Sequence, residues 1–193
     1  MSFNNIIGNE KIKSYLQEFI NNKAISHSYL FSGQDGIGKK LFAREFAKMI
    51  LCLSDNKPCN SCSSCIKFDS NNNPDFLQIE PDGNSIKISQ IREMQKNVYE
   101  KPILSNKKVF IIDESEKMTE EAQNSLLKTL EEPPEYMVII LISSNENKLL
   151  NTIKSRCLKI NFLNIDNVEL KSYIKEKGLD YQLSEDTLNI CNR

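Results

Sequence analysis

The octapeptide GQDGIGKK, residues 33–40, places glycine at 33, 36 and 38 and lysine at 39 and 40. Gly33, Gly38 and Lys39 occupy the fixed positions of the phosphate-binding pattern G-x-x-x-x-G-K-[ST]. In that pattern backbone N–H groups cradle phosphate oxygens and the lysine reaches a terminal phosphate. Gly36 belongs to the same candidate cradle. The apolar run SYLF (28–31) leads into the loop and a helical pattern opens at Lys39, the strand–loop–helix setting that such a loop requires. The alternative is a glycine turn that merely joins strand to helix. The last position departs from the pattern, because Lys40 stands where a Ser or Thr hydroxyl would ligate magnesium. An ammonium has donors and no lone pair, and beside a divalent cation it adds a repulsion of roughly several kcal/mol. Lys40 is therefore expected to swing out to solvent and leave water in the ligand position. Phosphate binding remains open; ordered ATP–magnesium chemistry is not expected.

Asp113 and Glu114 follow the apolar run VFII (109–112), at the strand end where open α/β sheets place their chemistry. Beside a phosphate loop such a pair reads as a Walker B motif, with Asp113 holding the metal and Glu114 polarising the attacking water. The plainer reading is two acids leaving a strand for a solvated turn. Cys52, Cys59, Cys62 and Cys65 lie within CLSDNKPCNSCSSC. Four thiolates at this spacing predict a closed tetrahedral zinc site, structural rather than catalytic because no position is left for water. C-x-x-C-x-x-C brings three sulfurs round a tight turn, and Cys52 completes the shell from the end of the preceding helix. Disulfides and an iron–sulfur cluster are the alternatives. Cys157 and Cys191 lie apart and read as ordinary thiols. His27, the single histidine, is expected to pack or cap near the start of a strand.

These residues need a frame. SYLF (28–31), VFII (109–112) and MVIILI (137–142) are continuous apolar runs, the mark of strands buried on both faces of a parallel sheet; FLQI (76–79) and CLKINF (157–162) are a weaker fourth and fifth. Helical patterns fall at 10–21, at 39–51 with Phe42, Ala43, Phe46, Ala47 and Ile50 on one stripe, and at 88–100 with Ile88, Ile91, Met94, Gln95 and Val98 near one face. A further helix is capped by Thr119, carries Glu120 and Glu121 in its first turn, buries Ala122, Leu126, Leu127 and Leu130, and stops at Pro133–Pro134. Strands alternating with helices predict an α/β fold with an open parallel sheet. We expect a core over 1–162 with the cysteine module at 52–65, and the beginning of a small helical domain over 163–193. The chain stops inside that last pattern, as a fragment would.

The 193 residues suit one generous domain or one and the start of another, and 39% hydrophobic residues suffice for a core. The charge is nearly balanced, 25 basic residues against 26 acidic, so no global basic field announces nucleic acid. The start, MSFNNIIGNEK, has neither a basic region nor a long apolar stretch, and MVIILI is too short to span a bilayer. The expectation is a cytoplasmic protein with no membrane partner and reduced thiols.

HSYLFSGQDGIGKK, the clustered cysteines, VFIIDESEKMTEEAQNSLLKTLEEPPEYMVIILISSN and SRC (155–157) occur in one order. Together they closely resemble the bacterial clamp-loader branch of the AAA+ P-loop proteins, the delta-prime and gamma/tau subunits of DNA polymerase III. The resemblance runs from IIGNE (6–10) to about residue 162, and LLKTLEEPP and SRC are its most specific motifs. It implies that Arg156 reaches into the ATP site of a neighbouring subunit as an arginine finger, stabilising charge on the transferred phosphoryl group. It implies also that Ser144 and Asn145, in SSN (143–145), lie where a polar side chain senses the terminal phosphate. The family's zinc ligands match all four cysteines, with a shorter gap from Cys52 to Cys59. Its helical lid follows the core, and its third, collar-forming domain is absent from this chain. Motor subunits read GKT or GKS at the loop. GKK points to the delta-prime type, a stator without ATPase activity of its own, although the intact Asp113–Glu114 pair fits that choice less well. Implied partners are the gamma/tau and delta subunits, the sliding clamp indirectly, and primer-template DNA within the assembled loader. An active gamma/tau-type ATPase is the second reading. A zinc-knuckle nucleic-acid-binding module is the third, weakened by the balanced charge and by the lack of aromatics among the cysteines.

Overall fold

The computed structural model describes residue 3 and residues 6–164. Five strands, β1 (Ser28–Ser32), β2 (Phe76–Ile79), β3 (Lys108–Ile112), β4 (Met137–Ser143) and β5 (Leu158–Asn161), form one sheet in the order β2-β3-β4-β1-β5. All pairings are parallel. Each coincides with an expected run: the central strands need apolar residues at consecutive positions because both faces are covered, while the edge strands β2 and β5 are only partly buried. β3 and β4 are buried along their whole length.

The helices are α1 (Glu10–Asn21), α2 (Lys39–Leu51), α3 (Ser63–Asp69), α4 (Ile88–Val98), α5 (Glu120–Glu131) and α6 (Asn151–Lys154). Alternate residues of each strand face opposite sides. Val109 and Ile111 join Phe31, Phe42, Phe46 and Leu16 in the core under α1 and α2. Phe110 and Ile112 join Leu30, Ile91, Met94, Leu126 and Ile153 in the core under α4, α5 and α6. Thr119 caps α5 as expected, its side chain accepting from the Ala122 amide, and the helix ends before Pro133. Leu127 is half-buried at the border of the apolar stripe. α4 stops two residues short of the expected end, at Val98. Neither α3 nor α6 was anticipated: seven and four residues are too few to display a 3.6-residue period.

The connection after β1 leaves toward one face, to α2, whereas those after β2, β3 and β4 leave toward the other, to α4, α5 and α6. Such a divergence opens a crevice at the C-terminal ends of the strands. The loop at 33–38, Glu80, Asp113 and Ser144 all follow those ends. The expected helical domain over 163–193 lies, but for its first two residues, outside the described residues. Among them, no helix is long and apolar enough to cross a membrane.

Candidate functional site

The crevice is a cleft of about 360 Å³ lined by Asp35, Gly36, Gly38, Lys39, Lys40, Leu41, Asp113, Glu114, Glu116, Lys117, Ile142 and Ser144. The glycines serve it in different ways. Gly36 and Gly38 have φ of 78° and 88°, left-handed values that cost a glycine nothing, and Gly38 is the N-cap of α2. Gly33 is needed for close approach: a Cβ there would sit 2.7 Å from Ile37 Cδ1 and 2.8 Å from the Phe162 carbonyl oxygen. It does not line the cleft. Lys39 is buried, its ammonium donating to the carbonyls of Gly33 and Gln34. Burial draws its pKa below the ordinary lysine value, with Asp35, Glu116 and Asp113 opposing.

Lys40 corrects the sequence expectation. It does not swing out to solvent. Its ammonium lies 2.9 Å from Asp113 Oδ2 and 2.6 Å from Glu80 Oε1. The physical reason is that Glu80 and Asp113 leave the paired ends of β2 and β3 as neighbouring like charges. The Lys40 ammonium between them offsets their repulsion. Burial alone would lower the Lys40 pKa, but hydrogen bonds to Glu80 and Asp113 together outweigh it and raise the value. Glu80 is correspondingly lowered, chiefly by the Lys40 hydrogen bond. The other Asp113 oxygen accepts from the Glu114 amide. Glu114 adopts a left-handed backbone, φ 46°, and its carboxylate pairs with Lys117. Both Walker B candidates are thus engaged by lysines of their own chain.

Ser144 and Asn145 are committed locally as well. The Ser144 amide and hydroxyl both donate to Glu116 Oε1. Burial would raise the Glu116 pKa, and these bonds with those from nearby backbone and Ser143 outweigh it, so the carboxyl lies below its usual range. Asn145 caps a short 3-10 turn by accepting from the Asn147 amide and does not line the cleft. Glu80 and Glu116 were missed in the sequence. A signal for Glu80 existed, since it follows FLQI as Asp113 follows VFII, and β2 and β3 run in register with Ile79 opposite Ile112.

The four cysteine sulfurs lie within 4.8 Å of one another. Tetrahedral zinc bonds of about 2.3 Å place sulfurs about 3.8 Å apart, so the cluster has the compass of a single ion. Amide-to-sulfur hydrogen bonds run from Cys59 to Cys52, Cys62 to Cys59 and Cys65 to Cys62 at 3.3–3.4 Å, an arrangement that favours thiolate. Hydrogen bonds from Ser61 and Cys62 lower the Cys59 thiol to about 6, whereas burial raises Cys65. Cys62 caps α3 rather than lying in an open turn, so helix geometry sets the Cys62–Cys65 separation. The module is bolted to the sheet. Arg44 of α2 lies over the rings of Phe68 and Phe76, donates to Gln78 and Asn71, and is joined by a Lys48–Asp69 ion pair.

Arg156 sits in the turn between α6 and β5, away from this chain's own cleft. Its guanidinium donates to the Thr152 carbonyl at 2.8 Å and to Glu131 Oε1 at 2.7 Å. The Arg156 carbonyl accepts from the buried Ser28 hydroxyl at 2.6 Å. That donation uses the one hydroxyl proton, so His27 Nδ1, 3.0 Å from the same oxygen, is the donor to it. The single histidine thus supports the Arg156 turn. Cys157 is a half-buried thiol whose pKa burial pushes up to about 11.

A five-stranded parallel sheet in this order, with a glycine loop entering a helix between β1 and α2 and acids after β3, defines a P-loop α/β protein of the AAA+ type. Solved structures agree. A DNA polymerase III gamma subunit-related protein from Thermotoga maritima is 27% identical with a TM-score of 0.58, covering 83% of this chain and 49% of that one. The RuvB Holliday junction branch migration motor of the same organism, 16% identical with a TM-score of 0.57, covers 92% and 53% and shows the fold alone. Residues 8–166 match the family described as DNA polymerase III, delta subunit, and the chain belongs to that family. It is 35% identical to the DNA polymerase III subunit delta' of Bacillus subtilis over 94% of this chain and 56% of that protein. To the tau subunit of the same organism it is 38% identical over 84% and 29%. The chain therefore spans between about a quarter and somewhat more than half of the length of these curated relatives.

Proposed function

We propose that this chain acts in the clamp loader of the DNA polymerase III holoenzyme during DNA replication, as a delta-prime-type stator that does not hydrolyse ATP. The carrying observation is the Lys40 ammonium lodged between Asp113 and Glu80. In a P-loop ATPase the acid after the third strand holds magnesium; here a lysine with no lone pair takes that acid, and the hydroxyl ligand is missing. Gly36, Gly38 and Lys39 keep the shape of a phosphate cradle without a metal to organise the reaction. Arg156, clear of this cleft and one-third exposed, acts on a neighbouring subunit's ATP as an arginine finger. Its permanent charge meets the charge that develops on the transferred phosphoryl group. Cys52, Cys59, Cys62 and Cys65 hold a structural zinc, which supplies cross-linking strength to a loop with little core of its own. The gamma/tau and delta subunits are the partners, with the sliding clamp and primer-template DNA met in the assembled loader, in the cytoplasm.

The test reconstitutes the full-length chain with the other loader subunits. Arg156→Ala is expected to depress DNA-stimulated ATP hydrolysis while the purified chain alone releases no phosphate from Mg·ATP. Steady turnover by the isolated chain would establish the second reading, an active gamma/tau-type ATPase. That reading is favoured by the retained Asp113–Glu114 pair and by relatives of that name at 35–38% identity.

A further inference from the structure

We propose that Glu131 is the positioning residue for the Arg156 finger, holding the guanidinium in the plane and direction in which it meets the neighbour's phosphate. The inference rests on the arginine-finger reading above. Arg156 is secured at three points on different elements. Ser28 at the start of β1 fixes its backbone carbonyl, the Thr152 carbonyl of α6 takes Nη1 at 2.8 Å, and Glu131 at the end of α5 takes Nη2 at 2.7 Å. Two anchors on separate nitrogens determine the orientation of a planar group, and of its five N–H donors three remain for a ligand. The carboxylate stands on a rigid support, because Ala122, Leu126 and Leu130 bury the stripe of α5 completely or nearly so. The pair itself is open to water, with side chains 33% and 48% exposed. An ion pair so exposed adds little to stability, so removing it leaves the fold intact and isolates its effect on orientation. A finger held only through Thr152 could rotate about that single bond, and preorganisation of a charged donor is what the transition state requires.

The experiment measures DNA-stimulated ATPase kinetics of the reconstituted loader carrying full-length chain with E131A, E131Q, R156A or E131A/R156A. E131A is expected to lower kcat roughly 3- to 30-fold, short of the ~100-fold that a misplaced reacting group can cost, with KM and the thermal midpoint unchanged. E131Q, which keeps an acceptor oxygen, recovers part of the loss. The double variant matches R156A alone, because Glu131 acts only through Arg156. Wild-type kcat in E131A alongside a depressed R156A overturns the assignment and leaves the finger standing. A raised kcat in E131A overturns it too, showing restraint in place of positioning, as does an equal loss from E131A in the R156A background. Full activity in R156A removes the finger reading and this inference with it.

Discussion

Lys40→Thr is the sharpest perturbation of the cleft. It removes the ammonium lying 2.9 Å from Asp113 and 2.6 Å from Glu80 and supplies the hydroxyl that the loop pattern asks for. For the Asp113 contact, Coulomb's law gives about 6 kcal/mol at an effective dielectric of 20 and about 1.4 kcal/mol in water. The Lys40 side chain is 45% exposed, so screening places the contact toward the lower figure, and the cost of partial desolvation offsets some of that. A net loss of about 1 kcal/mol follows in metal-free buffer, or roughly 2–4 °C in melting midpoint for a chain of this size. What remains is an acid pair beside a new hydroxyl, which is a cation site. Millimolar magnesium should therefore return most of the lost stability to Lys40→Thr and leave the wild type indifferent. Affinity for a fluorescent ATP analogue should become magnesium-dependent in the variant only. Thermal melts and nucleotide titrations in EDTA and in magnesium decide the matter. A variant whose melting and affinity ignore magnesium, or a wild type whose affinity depends on it, refutes the account of Lys40 as the seat's occupant.

The same ion pairs predict a pH signature. Glu80 is depressed below the ordinary value of 4.5, so its contribution is complete above 4.5 and is lost as pH falls through the lower folded value. Lys40 is raised above 10.5, so its contribution is complete below 10.5 and is lost as pH climbs through the folded value. The stability difference between wild type and Lys40→Met should be flat between those limits and shrink outside them. Metal analysis is expected to return about one zinc per chain; chelation should lower the melting midpoint and expose Cys59, whose thiol is lowered to about 6, to alkylation before the other three cluster cysteines. Gly33→Ala should cost about 1–3 kcal/mol in urea unfolding, because its Cβ would press on Ile37 and the Phe162 carbonyl.

β1, β3 and β4 were legible because each is covered on both faces and so reads as an unbroken apolar run, whereas the partly exposed edge strands β2 and β5 carry polar residues and read more weakly. α5 was legible because Thr119 and Pro133 punctuate it. The loop, the acids and the cysteines could be found by spacing, and the cysteines did converge. What escaped were pairings that exist only once strands are in register. Glu80 meets Lys40 from forty residues away, and Glu131 meets Arg156 from twenty-five. No local pattern records either. Lys40 departs from the sequence expectation because its attraction to Asp113 and Glu80, which no local pattern displays, outweighs its tendency to extend into solvent. Ser144 and Asn145 looked free for a ligand since a sequence does not show that Glu116 and a 3-10 turn already employ them.

α5 has one further property as an object with two ends. Its twelve residues, about 18 Å long, begin just past the acids of the cleft and finish at Glu131. In a cycling motor the near end of such a rod feels each gain and loss of metal and nucleotide, and the far end is jostled in step. Here the Lys40 ammonium already holds Asp113, and on the stator reading proposed above the near end would keep a single condition. The rod would then serve as a fixed bracket for the guanidinium held at its tip by Glu131.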